Sequence, residues 1–130
     1  MSKITRVLAD WLGLRRWLFP LALFPAFLAL AIGLQVLAGA YRCEFGGHPD
    51  EAGHYVTGLL IRDFIARAKP GNPMAYAKTY YKHYPKVALG NWPPGFYLIQ
   101  AGWTLPLGAG RTQVLVLMAV LGALEIGRAS

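Results

Sequence analysis

The sequence predicts an all-α membrane protein, with two to three transmembrane helices and two amphipathic interfacial helices in the first extracytoplasmic loop. Three observations predict it. Hydrophobic residues make up 55% of the 130-residue chain and charged ones only 15%, against roughly 25% charged in an ordinary soluble domain. From Trp17 to Ala40 there is no charge, and Gln35 is the only strongly polar side chain. Beyond a polar middle section, two more apolar runs follow.

Thirteen Lys and Arg against six Asp and Glu give a net charge of +7. Such an excess fits anionic lipid or phosphate-bearing partners. Nucleic acid is not expected, because the basic residues are scattered between apolar blocks instead of gathering on one polar face. Cys43 is the only cysteine, so no internal disulfide forms, and no Cys/His zinc spacing exists.

Each element follows from local chemistry. Residues 1–16 mix Lys3, Arg6, Arg15 and Arg16 with Val7, Leu8, Trp11 and Leu12, which reads as a short basic cytoplasmic or interfacial segment. Residues 17–40, at about 1.5 Å each, reach about 36 Å and cover the ~30 Å hydrocarbon layer with some tilt. Pro20 and Pro25 kink such a helix without forbidding it. Ala38-Gly39-Ala40 resembles a small-residue cleavage site, but the apolar run exceeds the 7–15 residues typical of a signal-peptide core. The anchor reading is preferred.

Residues 41–92 form the expected extracytoplasmic loop. Gly46-Gly47-His48-Pro49 is a turn, with Pro49 suited to a first helical position. Ala52, Tyr55, Val56, Leu59, Leu60, Phe64 and Ile65 then recur at helical spacing along one face, with Asp63 and Arg67 expected to pair on the other. Pro70-Gly71 ends that helix. Asn72-Pro73 starts a second one, Met74 to His83, with Tyr76/Tyr80 and Lys78/Lys82 at i,i+4. Tyrosines beside lysines suit the headgroup zone of a bilayer. Residues 93–107 read as a second span, short at about 21 Å. After the Gly108-Ala109-Gly110 turn, 111–130 reads as an incomplete third.

Several side chains have the types and spacing for chemistry. Asp50 and Glu51 lie in the first turn of the helix after Pro49. They suit a general base held at the membrane surface, or simply acids that complement the helix dipole by ~0.3–1 kcal/mol. Asp50, Glu51 and His54, with His48 nearby, have i,i+3 and i,i+4 spacing for a divalent metal, and no other cofactor is called for. Lys78, Lys82, His83 and Lys86 form a basic cluster. It fits a lipid phosphate, and plain attraction to anionic headgroups explains it equally. Tyr80, Tyr81, Tyr84, Trp92, Tyr97 and Trp103 read as an interfacial aromatic belt, although aromatic faces also stack on sugar rings.

The order of these features resembles the N-terminal part of polytopic glycosyltransferases of the C-type superfamily, the protein O-mannosyltransferases and the lipid A aminoarabinose transferases. The carrying residues are Pro49-Asp50-Glu51-Ala52-Gly53-His54-Tyr55, then Tyr84-Pro85-Lys86, Trp92-Pro93-Pro94-Gly95-Phe96-Tyr97, and Gly110-Arg111 before the last apolar run. The resemblance implies an inverting transfer of sugar from a polyprenyl-phosphate donor to an acceptor lipid, protein or glycan. It implies Asp50 as the catalytic base, Glu51 as the adjacent acid, and donor contacts around Lys82, Tyr84, Lys86 and Trp92. It also implies a multi-pass protein of the cell (inner) membrane, of which this chain is an early portion, inactive alone because a polyprenyl tail needs a groove between several helices. The rival reading is a small non-catalytic membrane protein or assembly subunit that uses the same loop to bind lipid.

Orientation rests on the N-terminal basic group, which favours the cytoplasm. The 41–92 loop is itself basic, with Arg42, Arg62, Arg67, Lys69, Lys78, Lys82 and Lys86 against Glu44, Asp50, Glu51 and Asp63. Cys43, just beyond the first span, is a natural reporter. A membrane-impermeant thiol reagent should label it in intact spheroplasts, and labelling only after lysis would reverse the orientation.

Overall fold

The computed structural model describes residues 22–43, 48–67, 71–88, 90 and 92–129. The basic segment 1–16, the start of the first apolar run, the Gly46-Gly47 turn and Pro70 lie outside the described residues. Those described are all helical, with no strand among them: α1 (22–37), α2 (Pro49–Ala66), α3 (Pro73–His83), α4 (Gly95–Leu107) and α5 (Arg111–Ala129). Two compact units arise, one from Gly39–Leu117 and one that includes residues 22–38 and the chain from Met118 onward. The division falls within α5.

Local chemistry sets the helix starts. Pro49 occupies the first turn of α2, and His48 caps it by accepting the Asp50 amide on Nδ1 at 3.3 Å. Asn72 caps α3 by accepting the amides of Met74 and Ala75 at 2.9 and 3.3 Å, with Pro73 opening the helix. Both are side-chain acceptors for otherwise orphaned N–H groups. Gly108 ends α4 at φ 98°, a conformation that favours glycine.

Within the larger unit α2 is the hub and α4 its main partner, with α3 on a second side. The buried face of α2 differs from the apolar stripe that spacing predicts. Gly53, Thr57, Gly58 and Leu60 are buried, whereas Ile65 is exposed. A Cβ on Gly58 would collide with the Gln100 carboxamide, so the two helices meet almost backbone to side chain. On α4 the buried residues are Tyr97, Gln100, Ala101 and Thr104, at spacings of three, four and seven. Gln100, fully buried, donates Nε2 to the Tyr55 carbonyl at 3.3 Å, and its Oε1 finds no partner among the described residues. Thr104 donates back to the Gln100 carbonyl at 2.7 Å. The opposite face of α4 carries Leu98 and Ile99, 54% and 51% exposed, with Leu105. Small and polar residues lie inside and large apolar ones outside.

A separate apolar cluster joins α2 and α3: Leu60, Ala77 and Val87, flanked by Val56, Tyr76 and Tyr80. The predicted Asp63–Arg67 pair does not form. Asp63 instead binds the neighbouring Arg62 at 2.9 Å and accepts the Tyr80 hydroxyl at 3.3 Å, and Arg67 lies over the Tyr76 ring. Asp63 and Arg67 both meet α3, but through different tyrosines, Tyr80 and Tyr76. Arg62 also reaches the Thr104 carbonyl at 3.3 Å, close to the end of α4.

In the second unit, α1 exposes Leu30, Leu34, Val36 and Leu37, and the later part of α5 buries Ala119 and Ala123 while exposing Met118, Leu124 and Ile126. Among the described residues no helix is long and apolar enough to cross a membrane. The described part of α1 reaches about 24 Å and α4 about 20 Å, short of a ~30 Å hydrocarbon layer. In α5 the uncharged stretch runs only from Thr112 to Leu124 before Glu125.

The close α2–α4 approach predicts opposite responses to one methyl group. Gly58→Ala should destabilise by about 1–3 kcal/mol, the cost of displacing Gln100 exceeding the gain in helix propensity. Gly102→Ala, on the open face of α4 with nothing within 4 Å, should be neutral or stabilise by up to ~1 kcal/mol. Denaturant unfolding of the purified chain in micelles, followed by helical circular dichroism, checks both.

Candidate functional site

The first two turns of α2 gather most of the predicted site. Asp50 and Glu51 share the first turn, yet their side chains have different fates. Asp50 is 58% exposed, near His48 Nδ1 at 3.7 Å. Glu51 is drawn to Arg111, whose Nη2 lies 3.0 Å from Glu51 Oε1.

Arg111, named in the sequence only as part of Gly110-Arg111 before the last apolar run, is what holds Glu51. Besides Glu51, it donates Nη1 to the carbonyls of Ala40 and Cys43, the latter at 2.8 Å. One guanidinium thus ties residues 40–43, the start of α2 and the start of α5. The Tyr55 hydroxyl donates to the Ala109 carbonyl and adds a second tie to the α4–α5 turn. A signal was present: a cation at the first position of a helix opposes the macrodipole, so a carboxylate partner elsewhere was to be sought.

The segment after α3 returns along α2 towards its start. Val87 enters the apolar cluster, and the Ala88 amide donates to Thr57 Oγ1 at 3.2 Å. Lys86 and Trp92 then reach Gly53. A Cβ there would meet the Lys86 carbonyl at 3.2 Å and the Trp92 ring at 3.3 Å. Trp92 stacks on His54 with ring centroids 3.8 Å apart and planes at 26°. His54 Nδ1 lies 2.6 Å from the hydroxyl of Tyr97, a side chain 3% exposed.

Of the predicted residues, Asp50, Glu51, His54, Lys86 and Trp92 are therefore brought to one end of α2. Lys82 and Tyr84 are not; both are exposed, the Tyr84 ring lying tilted against Tyr80 with centroids 4.8 Å apart. The aromatic belt is also divided. Trp92 and Tyr97 turn inward onto His54, and the Trp103 indole donates to the Gln113 carbonyl at 2.9 Å. Tyr81 and Tyr84 stay outside. The predicted metal grouping of Asp50, Glu51 and His54 does not assemble. Glu51 is held by Arg111 and His54 by Tyr97, and no cluster of three His, Cys, Asp or Glu side chains forms among the described residues.

Burial raises the hydroxyl pKa of Tyr80, and neighbouring Asp63 raises it further. Burial also raises Tyr55, with Arg62 pulling the other way. Both stay protonated donors at neutral pH, as their bonds to Asp63 and to the Ala109 carbonyl require. Compared with protein-family models, with curated proteins and with solved structures, the chain finds no match in any of the three.

Coupling between Glu51 and Arg111 is testable. Arg111→Gln should cost about 2–3 kcal/mol of unfolding free energy, since it removes bonds to two carbonyls as well as the carboxylate. Glu51→Gln should cost about 1 kcal/mol or less, as expected of a partly exposed pair. The double variant should fall short of the sum by about 0.5–1 kcal/mol in a double-mutant cycle. Strict additivity would mean the pair contributes nothing.

Proposed function

We propose that this chain carries the acid–base end of an inverting membrane glycosyltransferase that moves a sugar from a polyprenyl-phosphate donor to an extracytoplasmic acceptor. The observation that carries the reading is the divergence of the two adjacent carboxylates. Arg111 neutralises Glu51, and Asp50 is left exposed in the first turn of a helix that meets the Lys86 backbone and the Trp92 ring at Gly53. A general base has to be reachable, and of the two carboxylates only Asp50 is left outside the ion pair with arginine.

A membrane setting is supported by the distribution of side chains. In α4 the buried face is Tyr97, Gln100, Ala101 and Thr104, and the outer one is Leu98, Ile99 and Leu105. Water reverses that preference. In lipid it is favoured, because small residues let helices approach and buried polar side chains find partners between helices. The setting we propose is the inner membrane, with residues 41–92 on its outer side.

In the reaction, Asp50 takes the proton of an acceptor hydroxyl or amine as its lone pair attacks the anomeric carbon. The bond from that carbon to the phosphate oxygen breaks with inversion, and the polyprenyl phosphate leaves with the electron pair. Lys86 supplies an exposed ammonium for the phosphate, and Trp92, half-buried on His54, an aromatic surface for the sugar. Glu51 orients the site through Arg111 and does not touch the reacting atoms.

Asp50→Asn should lower transfer from polyprenyl-phosphate sugars by ~10²–10⁴-fold in native membranes at matched protein level, the usual contribution of a positioned base. Glu51→Gln should retain most of the turnover per folded molecule. Near-wild-type turnover in the Asp50 variant would reduce the carboxylate pair to a feature of the helix start.

A further inference from the structure

The outer face of α3 takes no part in the site at the start of α2. Tyr76, Ala77 and Tyr80 hold the inner face against α2. Lys78 and Lys82 lie one turn apart on the outside, with Met74 one turn before them, and all three are exposed. Tyr81 and Tyr84 are exposed beside them, and Lys86 follows past the helix end. No acidic residue occurs between Pro73 and Lys86. On the facing helix α2, Asp63 is committed to Arg62 and the Tyr80 hydroxyl. No acid on α3 offsets Lys78 and Lys82, and the α2 carboxylate that faces α3, Asp63, is already paired.

We propose that the outer face of α3 docks on a membrane surface rich in anionic phospholipid headgroups. The two side-chain classes on this face each find their solvent there. The ammonium groups of Lys78 and Lys82 meet phosphate, and their methylene stems, with Met74, Tyr81 and Tyr84, enter the boundary between headgroups and acyl chains. A free phosphate ion or a nucleotide would satisfy the lysines but leave Met74 and the tyrosine rings in water. Charge attraction to an anionic leaflet strengthens binding by about fivefold per lysine near the surface. The assignment does not depend on sugar transfer and stands or falls apart from Asp50.

Hydrogen exchange with mass spectrometry tests it on the full chain, reconstituted in parallel into vesicles of phosphatidylcholine alone and of phosphatidylcholine with phosphatidylglycerol. Amides of Pro73–His83 should exchange at least about fivefold more slowly with the anionic lipid, and the difference should fade as salt shortens the Debye length to about 3 Å at 1 M. The Lys78→Gln/Lys82→Gln variant keeps good helix formers at exposed positions. It should lose the difference while protection of α2 is unchanged, which shows that the variant is folded. Equal exchange in both vesicles, or a variant that keeps the difference, would overturn the proposal. So would the same protection from inorganic phosphate in neutral detergent micelles, which would indicate a soluble phosphate site.

Discussion

Gly58 and Gln100 set the distance between α2 and α4, and the larger unit is organised around that distance. Because Gly58 has no Cβ, the Gln100 carboxamide lies against the α2 backbone and reaches the Tyr55 carbonyl. A buried amide without partners costs several kcal/mol in an apolar setting, so its bond to Tyr55 also fixes the register between the helices. Register then decides the rest. It brings Arg62 to the Thr104 carbonyl and Tyr55 to the Ala109 carbonyl. It also sets Tyr97 beside His54. The site at the start of α2 is thus held by a contact one or two turns away from it.

That arrangement gives two neighbouring carboxylates different electrostatic roles. Asp50 and Glu51 both favour a helix start through the dipole. The guanidinium of Arg111, sixty residues along the chain, breaks the symmetry by binding one of them. Its two further bonds to backbone carbonyls make it a structural anchor. The carboxylate so held gains order and loses availability. The other stays exposed, which is why the base we propose is Asp50 and not Glu51.

Polar residues are buried on α4 while α2 and α3 enclose an apolar cluster of Leu60, Ala77 and Val87. Thr57, Gln100 and Thr104 are buried, and leucines, isoleucines and valines stand outside on α1, α4 and α5. Each buried threonine donates to a carbonyl of its own helix four residues earlier, Thr57 to Gly53 and Thr104 to Gln100. Such bonds satisfy a buried polar group without water. The α3 face differs, with lysines and tyrosines together.

Local chemistry fixes the starts of α2 and α3. Proline fixes φ, and an asparagine or histidine acceptor captures amides two or three residues on, so Pro49, Asn72 and Pro73 act through bonds within one turn. The glycine-rich turn after α4 was legible for the same reason. Of the site, Asp50, Glu51, His54, Lys86 and Trp92 were legible as residue types in order along the chain. Tertiary structure alone decided which face of α2 is buried, because apolar periodicity marks Ile65 for burial while close helix packing rewards Gly53 and Gly58, which carry no apolar signal. It likewise decided that Arg111 takes Glu51, that Tyr97 takes His54, and that Asp63 turns to Arg62 and Tyr80 instead of Arg67. Those choices depend on which side chains the α2–α4 register and the return of the chain after α3 bring within hydrogen-bonding reach, and no pattern of neighbours along the chain encodes that distance.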